Sequence, residues 1–369
     1  MTPSSRLVFV GAGHASLFTL ARLDEFTSQG VSVTVISSSP FWYSGMGPGL
    51  LSGQYEAAEA SVDVRAMVEA GGGSFVDEHA VAIDAAHRQV VTKGGHEIAY
   101  DVLCLNLGSV VSQGTAQTDS DWQFPVKPVS QFLALRNRLL SLAAERPVRL
   151  LVVGGGPAGC ETAANAHTLG ADRGLKIRIK IVTTSDDLLA GFPAQARGRM
   201  ANWCRQNGIV VDTNRRLSHF GDRSALFEDG SREQTDLVIL ATGIRPPDLL
   251  KRSDLATDAQ GALVVDEHLQ SVSHPGVFGG GDCICFQPRP LDRVGVYAVQ
   301  EGPVLYANLR ATLEGGRMKP FSPRRRYLLI LNLGNRAGLL VRGTSVASGK
   351  MMFRLKQWLD RRFIRQFQK

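Results

Sequence analysis

Leu150-Leu-Val-Val153 followed by Gly154-Gly-Gly-Pro-Ala-Gly159 runs an apolar strand into a G-x-G-x-x-G turn. A helix-like stretch to about Leu169 and a second strand, Ile177-Arg-Ile-Lys-Ile-Val182, come next. Strand, turn, helix and strand in about 30 residues make a βαβ unit. In such a unit the first glycine permits the tight turn and the second lets backbone N–H groups approach a pyrophosphate. The third lets the helix pack on the strand, with the positive helix end facing the anion. A glycine turn with no ligand is the plain alternative. The same unit occurs earlier, as Leu7-Val-Phe-Val10, Gly11-Ala-Gly-His-Ala-Ser16, a helix-like stretch to about Gln29 and Val31-Ser-Val-Thr-Val-Ile36. Two such units in one chain favour two dinucleotide sites over two empty turns.

The earlier turn has Ser16 in place of the third glycine, a residue still small enough for close helix–strand contact. Neither unit carries the acid usually found about 20 residues on, which grips the ribose hydroxyls. Ser37 stands there in the first unit and Thr183 or Thr184 in the second. No carboxylate repels a 2′-phosphate and no arginine at the strand end selects one, so NADH and NADPH both stay open.

Two more apolar runs stop on glycine, Val102-Leu-Cys-Leu-Asn-Leu-Gly108 and Leu237-Val-Ile-Leu-Ala-Thr-Gly243, and Val277-Phe-Gly-Gly-Gly-Asp282 ends on an acid. Strands alternating with helices predict an α/β chain with doubly wound parallel sheets, two Rossmann-like domains in all. Proline breaks at Phe124-Pro-Val-Lys-Pro128 and Gly243-Ile-Arg-Pro-Pro247 place the boundaries. The first domain is expected over residues 1–125 and 245–323, the second inserted as 126–244, and a basic C-terminal segment over 324–369.

Composition agrees: of 369 residues, 44% are hydrophobic and 20% charged, which is ordinary for a globular chain. Five cysteines without framework spacing, and a start that runs straight into a strand, predict a cytoplasmic protein. No apolar run reaches the roughly 18 residues that span a bilayer. Net charge is +7, yet residues 324–369 alone carry +11, which leaves −4 for the rest. The basicity belongs to the tail.

Other residues carry chemistry of varying specificity. Asp282, at a strand end, can accept hydrogen bonds from a polyol such as the ribitol of FAD, or cap a helix; beside two βαβ units the polyol is preferred. His14, on the first helical turn, is expected to be half-buried or solvated rather than catalytic. Cys160 follows the second turn near a helix N-terminus, where a thiol can be acidified, but a small buried side chain is the preferred reading. Cys283 and Cys285 do not form a vicinal redox pair. No Cys/His set has metal spacing, and no serine lies in a G-x-S-x-G context. Phe41-Trp-Tyr-Ser-Gly-Met-Gly-Pro-Gly49 puts three aromatics on a glycine-rich loop, suited equally to a flat ring system and to a packed surface loop. In the tail, Phe353, Leu359, Phe363 and Phe367 fall near one helical face, with Met352 and Leu355 beside them and basic residues flanking. That pattern suits an anionic membrane surface; packing on its own protein or on a dimer mate is the alternative. The aromatic stripe fits lipid better than nucleic acid.

Taken together, Val10-Gly-Ala-Gly13, Tyr100-Asp-Val-Leu103, Gly154-Gly-Gly-Pro-Ala-Gly-Cys-Glu161, Ala241-Thr-Gly243, Val277-Phe-Gly-Gly-Gly-Asp282 and Gln300-Glu-Gly-Pro303 resemble the pyridine nucleotide-disulfide oxidoreductase superfamily. Within it the chain is most similar to the type II NADH dehydrogenase branch. Tyr43-Ser-Gly-Met-Gly-Pro-Gly49, Pro125-Val-Lys-Pro128 and Trp358-Leu-Asp-Arg-Arg-Phe363 further resemble the flavoprotein module fused to selenide,water dikinases, the selenophosphate synthetases. The resemblance implies FAD on Gly11, Gly13 and Asp282, and NADH or NADPH on Gly154, Gly156 and Gly159, with Glu161 near the nicotinamide. It also implies a helix from about Tyr297 aimed at the flavin, and the Tyr43–Gly49 loop beside the isoalloxazine. The remaining residues expected at the cofactors are His14, Ala15, Ser37, Tyr43, Ser44, Gly45, Lys127, Pro157, Ala158, Thr242, Gly243, Gly281 and Ala298; Cys160 and Glu161 are the candidates for chemistry. Two departures stand out. Residues 38–60 hold no cysteine, whereas disulfide reductases place a C-x₄-C pair there, and of the cysteines that sulfide:quinone oxidoreductases need beside the flavin, Cys160 alone is roughly placed.

The function expected is therefore hydride transfer from NAD(P)H to FAD and electron transfer to a small acceptor, preferably a quinone. The tail helix would hold the protein on the inner face of the cell membrane. Acting on a selenium or sulfur species, with a link to selenophosphate synthetase, is one alternative, and a non-enzymatic redox-sensing flavoprotein is another. A homodimer is compatible with the sequence.

Overall fold

The computed structural model describes residues 5–112 and 120–368. Residues 1–4, on which the leaderless start was read, and residues 113–119 and 369, inside the first and last expected segments, lie outside the described residues.

Two five-stranded parallel sheets of the same design form the frame. In the first, Val277–Gly279, Val102–Leu105, Ser5–Val10, Val31–Ile36 and Ser74–Val76 lie side by side in that order. In the second the order is Gln123–Pro125, Leu237–Leu240, Val148–Val153, Ile177–Val182 and Val210–Asp212. Covered on both faces, such strands are apolar throughout rather than alternating. Leu7, Val8, Phe9 and Val10 are all buried, as are Leu237, Val238, Ile239 and Leu240. Truncating Phe9 to alanine would cost about 3–5 kcal/mol.

Val277–Gly279 pairs with Val102–Leu105 in the first sheet although the whole second sheet intervenes in sequence. The second unit is thus inserted in the first. The two crossings run together as a short antiparallel ribbon, Val110–Val111 against Ile244–Arg245. The first crossing therefore lies upstream of the boundary expected at residue 125. Gln123–Pro125 already pairs with Leu237–Leu240 in the second sheet, so the proline at its end closes a strand rather than opening a domain.

The helix expected from the first glycine turn to Gln29 is broken into Leu17–Leu20 and Asp24–Thr27. Between them the backbone tightens, with Arg22 N–H donating to Thr19 and Glu25 N–H to Arg22. The helix of the second unit, Pro157–Arg173, runs four residues past Leu169 and ends on Gly174 in the left-handed region, φ +64°. The tail is more than a helix. Leu329–Asn332, Gly338–Arg342 and Ser345–Gly349 form an antiparallel three-stranded sheet, and Lys350–Ile364 crosses it. The helix passes so close that a Cβ on Gly338 would stand 2.6 Å from Phe353 N. Phe353, Ile364 and Phe367 are buried and Phe363 is half-buried. This corrects the expectation for the aromatic stripe: it packs on its own protein, because amphipathic spacing reports that a face is covered and not by what.

Candidate functional site

At the carboxyl ends of both sheets a single cavity of about 980 Å³ runs from one glycine turn to the other. In the second turn the three glycines have three separate reasons. Gly154 has φ +123°, and a Cβ there would stand 2.1 Å from Ala241 O. A Cβ on Gly159 would stand 1.9 Å from Gly154 O, so helix and turn touch at that point. Gly156 has nothing within 4 Å of its Cβ position; its bare backbone faces the cavity, a cradle that any side chain would begin to fill.

The first turn is held differently. Asn106 follows the Val102–Leu105 strand, and its buried Oδ1 accepts from Ala15 N and Ser16 N, both at 3.1 Å. Its Nδ2 donates to Gly280 O at 2.6 Å. Ser16, standing where a third glycine was expected, turns its hydroxyl back on Gly11 O at 3.4 Å. Ala12 N donates to Ser37 Oγ at 3.2 Å, which fixes the turn to the end of the next strand.

Of the residues expected at the cofactors, Gly11, Gly13, His14, Ser37, Ser44, Lys127, Gly154, Gly156, Pro157, Ala158, Glu161, Thr242, Gly243, Gly281, Asp282 and Ala298 line the cavity. Ala15, Tyr43, Gly45, Gly159 and Tyr297 are not among its lining residues. Gly295 begins the helix Gly295–Glu314, two residues before the expected start, and with Ala298 it turns the positive helix end into the cavity. Cys160 is fully buried, with its thiol 3.4 Å from Gly155 O. Burial pushes that thiol well above its ordinary range, so the helix end does not activate it.

Where the two domains meet, Lys127 Nζ donates to Asp282 Oδ2 and to Ser109 Oγ, both at 2.5 Å, and Ser109 Oγ lies 2.6 Å from Asp282 Oδ2. Burial works to raise the Asp282 carboxyl, but Lys127 and Ser109 hold it below its ordinary value. It is an anion at neutral pH. His14 stands at the same wall with Nε2 3.4 Å from Ser44 Oγ, and burial lowers its pKa to about 4, so the ring is neutral. Its ring touches Phe41 edge-on, centroids 4.9 Å apart, and Tyr43 at 5.4 Å; Phe363 of the tail helix lies 4.8 Å from Tyr43. Behind Gly45, Lys356 Nζ donates to Gly45 O at 2.8 Å and to Asp360 at 2.9 Å, and Tyr55 donates to Asp360 at 3.1 Å.

Glu161 is the other acid of the cavity wall. Its Oε1 accepts from Asn332 N at 2.6 Å, and burial pushes its pKa up to about 7 against the nearby Lys356. The sequence offered no sign that a tail strand reaches this carboxylate. Three other participants were missed as well. Asn106 had a signal, a polar residue inside an apolar run ahead of Gly108. Arg215 and Arg216 line the cavity beside Thr183 and Thr184, which corrects the reading that no arginine reaches this strand end. They come from the loop after the neighbouring strand, and no spacing rule for a βαβ unit covers them.

With this geometry in place, comparison with known proteins is direct. The family model for pyridine nucleotide-disulphide oxidoreductases matches residues 5–305. An NADH dehydrogenase-like protein of Mycobacterium tuberculosis is 26% identical over 295 residues, 75% of this chain and 72% of its own. A demethylphylloquinone reductase of Synechocystis is 25% identical over 290 residues, 75% and 71%. Among solved structures, NDH2 of Plasmodium falciparum with NADH superposes at TM-score 0.81 and 16% identity, covering 98% of this chain and 97% of its own. The sulfide:quinone oxidoreductase of Aquifex aeolicus superposes at 0.82 and 17%, covering 99% and 91%. FAD and a nicotinamide nucleotide as cofactors fit these likenesses. The inserted second sheet, the paired glycine turns and the family match lead to one statement: this chain belongs to the pyridine nucleotide-disulphide oxidoreductase family, as an NADH dehydrogenase-like oxidoreductase.

Proposed function

We propose that the protein carries electrons from NAD(P)H, through FAD, to a quinone-like acceptor. The observation that supports this most is the single cavity joining the two glycine turns, because hydride transfer requires two ring systems in contact and sheltered from water. The residues present fit a bound FAD. The side-chain-free turn at Gly11 and Gly13 and the Ser37 hydroxyl suit its adenosine and pyrophosphate half. Asp282, ionised and aimed into the cavity, suits its polyol, and the N-terminus of Gly295–Glu314 suits a ring that gains negative charge. Bound there, FAD supplies the two-electron chemistry that no side chain of the chain supplies. The chain orients and encloses: Phe41, Trp42, Pro48, Val129 and Phe132 give the cavity an apolar side suited to a flat acceptor ring. Among the described residues the cavity wall holds no cysteine, which favours a quinone over an acceptor handled by thiol exchange.

The tail bears on location. With its aromatic face buried, the helix Lys350–Ile364 still presents Met351, Arg354, Trp358 and Arg362 outward, the Arg362 guanidinium lying 5.1 Å over the Trp358 ring. Alternating cations and bulky apolar groups suit an anionic membrane surface, where quinone is found.

Anaerobic reduction of the purified yellow protein by NADH and NADPH, followed by reoxidation with a soluble quinone, tests the reading. Rapid turnover is expected. A colourless protein that takes up no flavin would end it, and flavin reduction without turnover on any acceptor would favour a redox sensor. Co-sedimentation with anionic vesicles, lost in W358E/R362E, is expected for the tail.

A further inference from the structure

We propose that Arg216 recognises the 2′-phosphate of NADPH and that the second nucleotide site therefore prefers NADPH to NADH, an inference resting on the reading of that site as the nicotinamide nucleotide site. In a βαβ unit the adenosine ribose lies at the end of the second strand, where an acid binds its hydroxyls in NADH-selective members. Here Ile177–Val182 ends on Thr183 and Thr184. The next loop is stapled along that end. Thr183 N donates to Asp212 O at 2.9 Å, Arg215 N to Thr183 O at 2.9 Å and Asn214 N to Ser185 O at 3.2 Å. The staple brings Arg215 and Arg216 into the cavity wall beside both threonines.

The two arginines differ in what already holds them. Arg215 is committed: its guanidinium bonds Asp212 at 2.7 Å, Glu233 at 3.2 Å and Ser231 at 2.7 Å, lies 3.7 Å over the Phe227 ring, and has Asp229 at 3.9 Å. Lys180 shares the same acids, at 2.8 Å from Glu233 and 3.5 Å from Asp212. Arg216 is nearly free. Its side chain is 63% exposed, and its one ion-pair partner among the described residues is Glu228 at 3.7 Å, itself 62% exposed. Such a pair is worth little in water and gives way to a better anion. The carboxylates lining the cavity among the described residues are Glu161 and Asp282, both outside this loop and its neighbouring strand end. A doubly charged phosphate ester beside Thr184 would meet a guanidinium fork held by one exposed acid, Glu228, and no carboxylate of the cavity wall among the described residues, a setting in which arginine binds phosphate well.

The test compares NADPH with NADH on the flavin-loaded full chain and adds binding of 2′,5′-ADP and 5′-ADP by calorimetry. NADPH is expected to reduce the flavin with the higher kcat/KM. R216A is expected to lose roughly 10- to 100-fold for NADPH, the range of a charge-assisted hydrogen bond, while NADH changes less than about twofold. E228Q, which removes the competing acid, is expected to widen the preference, and rising salt to narrow it. Equal losses for both nucleotides in R216A would mean that the guanidinium stacks on adenine, and would overturn the proposal. So would a wild-type protein that prefers NADH. Failure of both nucleotides to reduce the flavin would overturn the oxidoreductase reading, and the calorimetry would still decide Arg216. Binding of 2′,5′-ADP that is tighter than 5′-ADP and lost in R216A supports the assignment; equal binding of the two refutes it.

Discussion

Replacing Lys356 with methionine isolates what ties the tail to the cavity wall. Lys356 and Asp360 are buried, with 10% and 5% of their side chains exposed, one helical turn apart and 2.9 Å from each other. K356M keeps the length of the stem but leaves the Asp360 carboxylate with the Tyr55 and Tyr43 hydroxyls as its donors, and leaves Gly45 O without one. Removing one partner of a buried ion pair costs about 3–5 kcal/mol, chiefly through the stranded charge. At roughly 2 °C per kcal/mol for a chain of this size, the midpoint of thermal unfolding should fall by about 6–10 °C. The double variant K356M/D360L strands no charge. It leaves three neutral groups, the Gly45 carbonyl and the Tyr55 and Tyr43 hydroxyls, at about 1–3 kcal/mol each, against which leucine burial is gained. It should therefore be more stable than K356M, although it carries one more substitution. Scanning calorimetry of the three proteins at pH 7 checks this, with flavin retention measured on the same samples to report the Gly45 loop. A double variant as unstable as K356M, or less stable, would refute the argument that the charge and not the packing is at stake.

Three further outcomes follow from the cavity. G156A places its Cβ where nothing lies within 4 Å, in extended backbone that alanine adopts freely, so the midpoint of unfolding should hold while NAD(P)H affinity falls; G159A, whose Cβ would meet Gly154 O at 1.9 Å, should lose both, as calorimetry and nucleotide titration would register. Glu161 is raised by burial from 4.5 to about 7, so folding favours its protonated form; that contribution is whole below pH 4.5 and fades as pH climbs to 7. The difference amounts to about 3 kcal/mol, hence E161Q should gain stability relative to wild type between pH 5 and pH 8, and a gap independent of pH in denaturant titrations would count against it. D282N keeps the shape but leaves Lys127 with Ser109 as its neighbour, and FAD should dissociate roughly 10- to 100-fold more readily, read from flavin fluorescence on dilution.

The second glycine turn was legible because its main constraints are local: a positive φ, a bare amide and a helix–turn contact fall within six residues, and the approach to Ala241 O adds to them. The first turn was legible in outline. Its Ser16 is accommodated by a hydrogen bond to Gly11 O, and the helix end is held by Asn106, about 90 residues on in sequence. Contacts of that range leave no periodic signal. The same limit hid Arg216, which reaches the end of Ile177–Val182 from the loop after the adjacent strand rather than from the βαβ unit that spacing rules describe. The tail shows the opposite case. Its hydrophobic face was plain from the sequence, but a stripe of apolar residues is equally satisfied by lipid, a partner or a sheet of the same chain.

That sheet changes what the tail is. Asn332 N holds the Glu161 carboxylate, Asn332 Nδ2 donates to Gln54, and Asn332 O accepts from Asn165 of the Pro157–Arg173 helix. Asn165 in turn takes the Ser52 hydroxyl at 2.8 Å. Asn332 and Asn165 together therefore join the helix Gly47–Ser52 of the first domain, the nucleotide-turn helix of the second and the tail, behind the cavity wall at Glu161. Lys356 adds a second tie from the tail to the Tyr43–Gly45 loop. The +11 charge that marked residues 324–369 as an appendage is thus of two kinds. Lys356 is buried and neutralised by Asp360, and braces the Tyr43–Gly45 loop from behind the cavity wall, while Arg354 and Arg362 face outward. Charge reversal at the outward arginines should alter surface binding and leave flavin retention intact; loss of Lys356 should do the reverse.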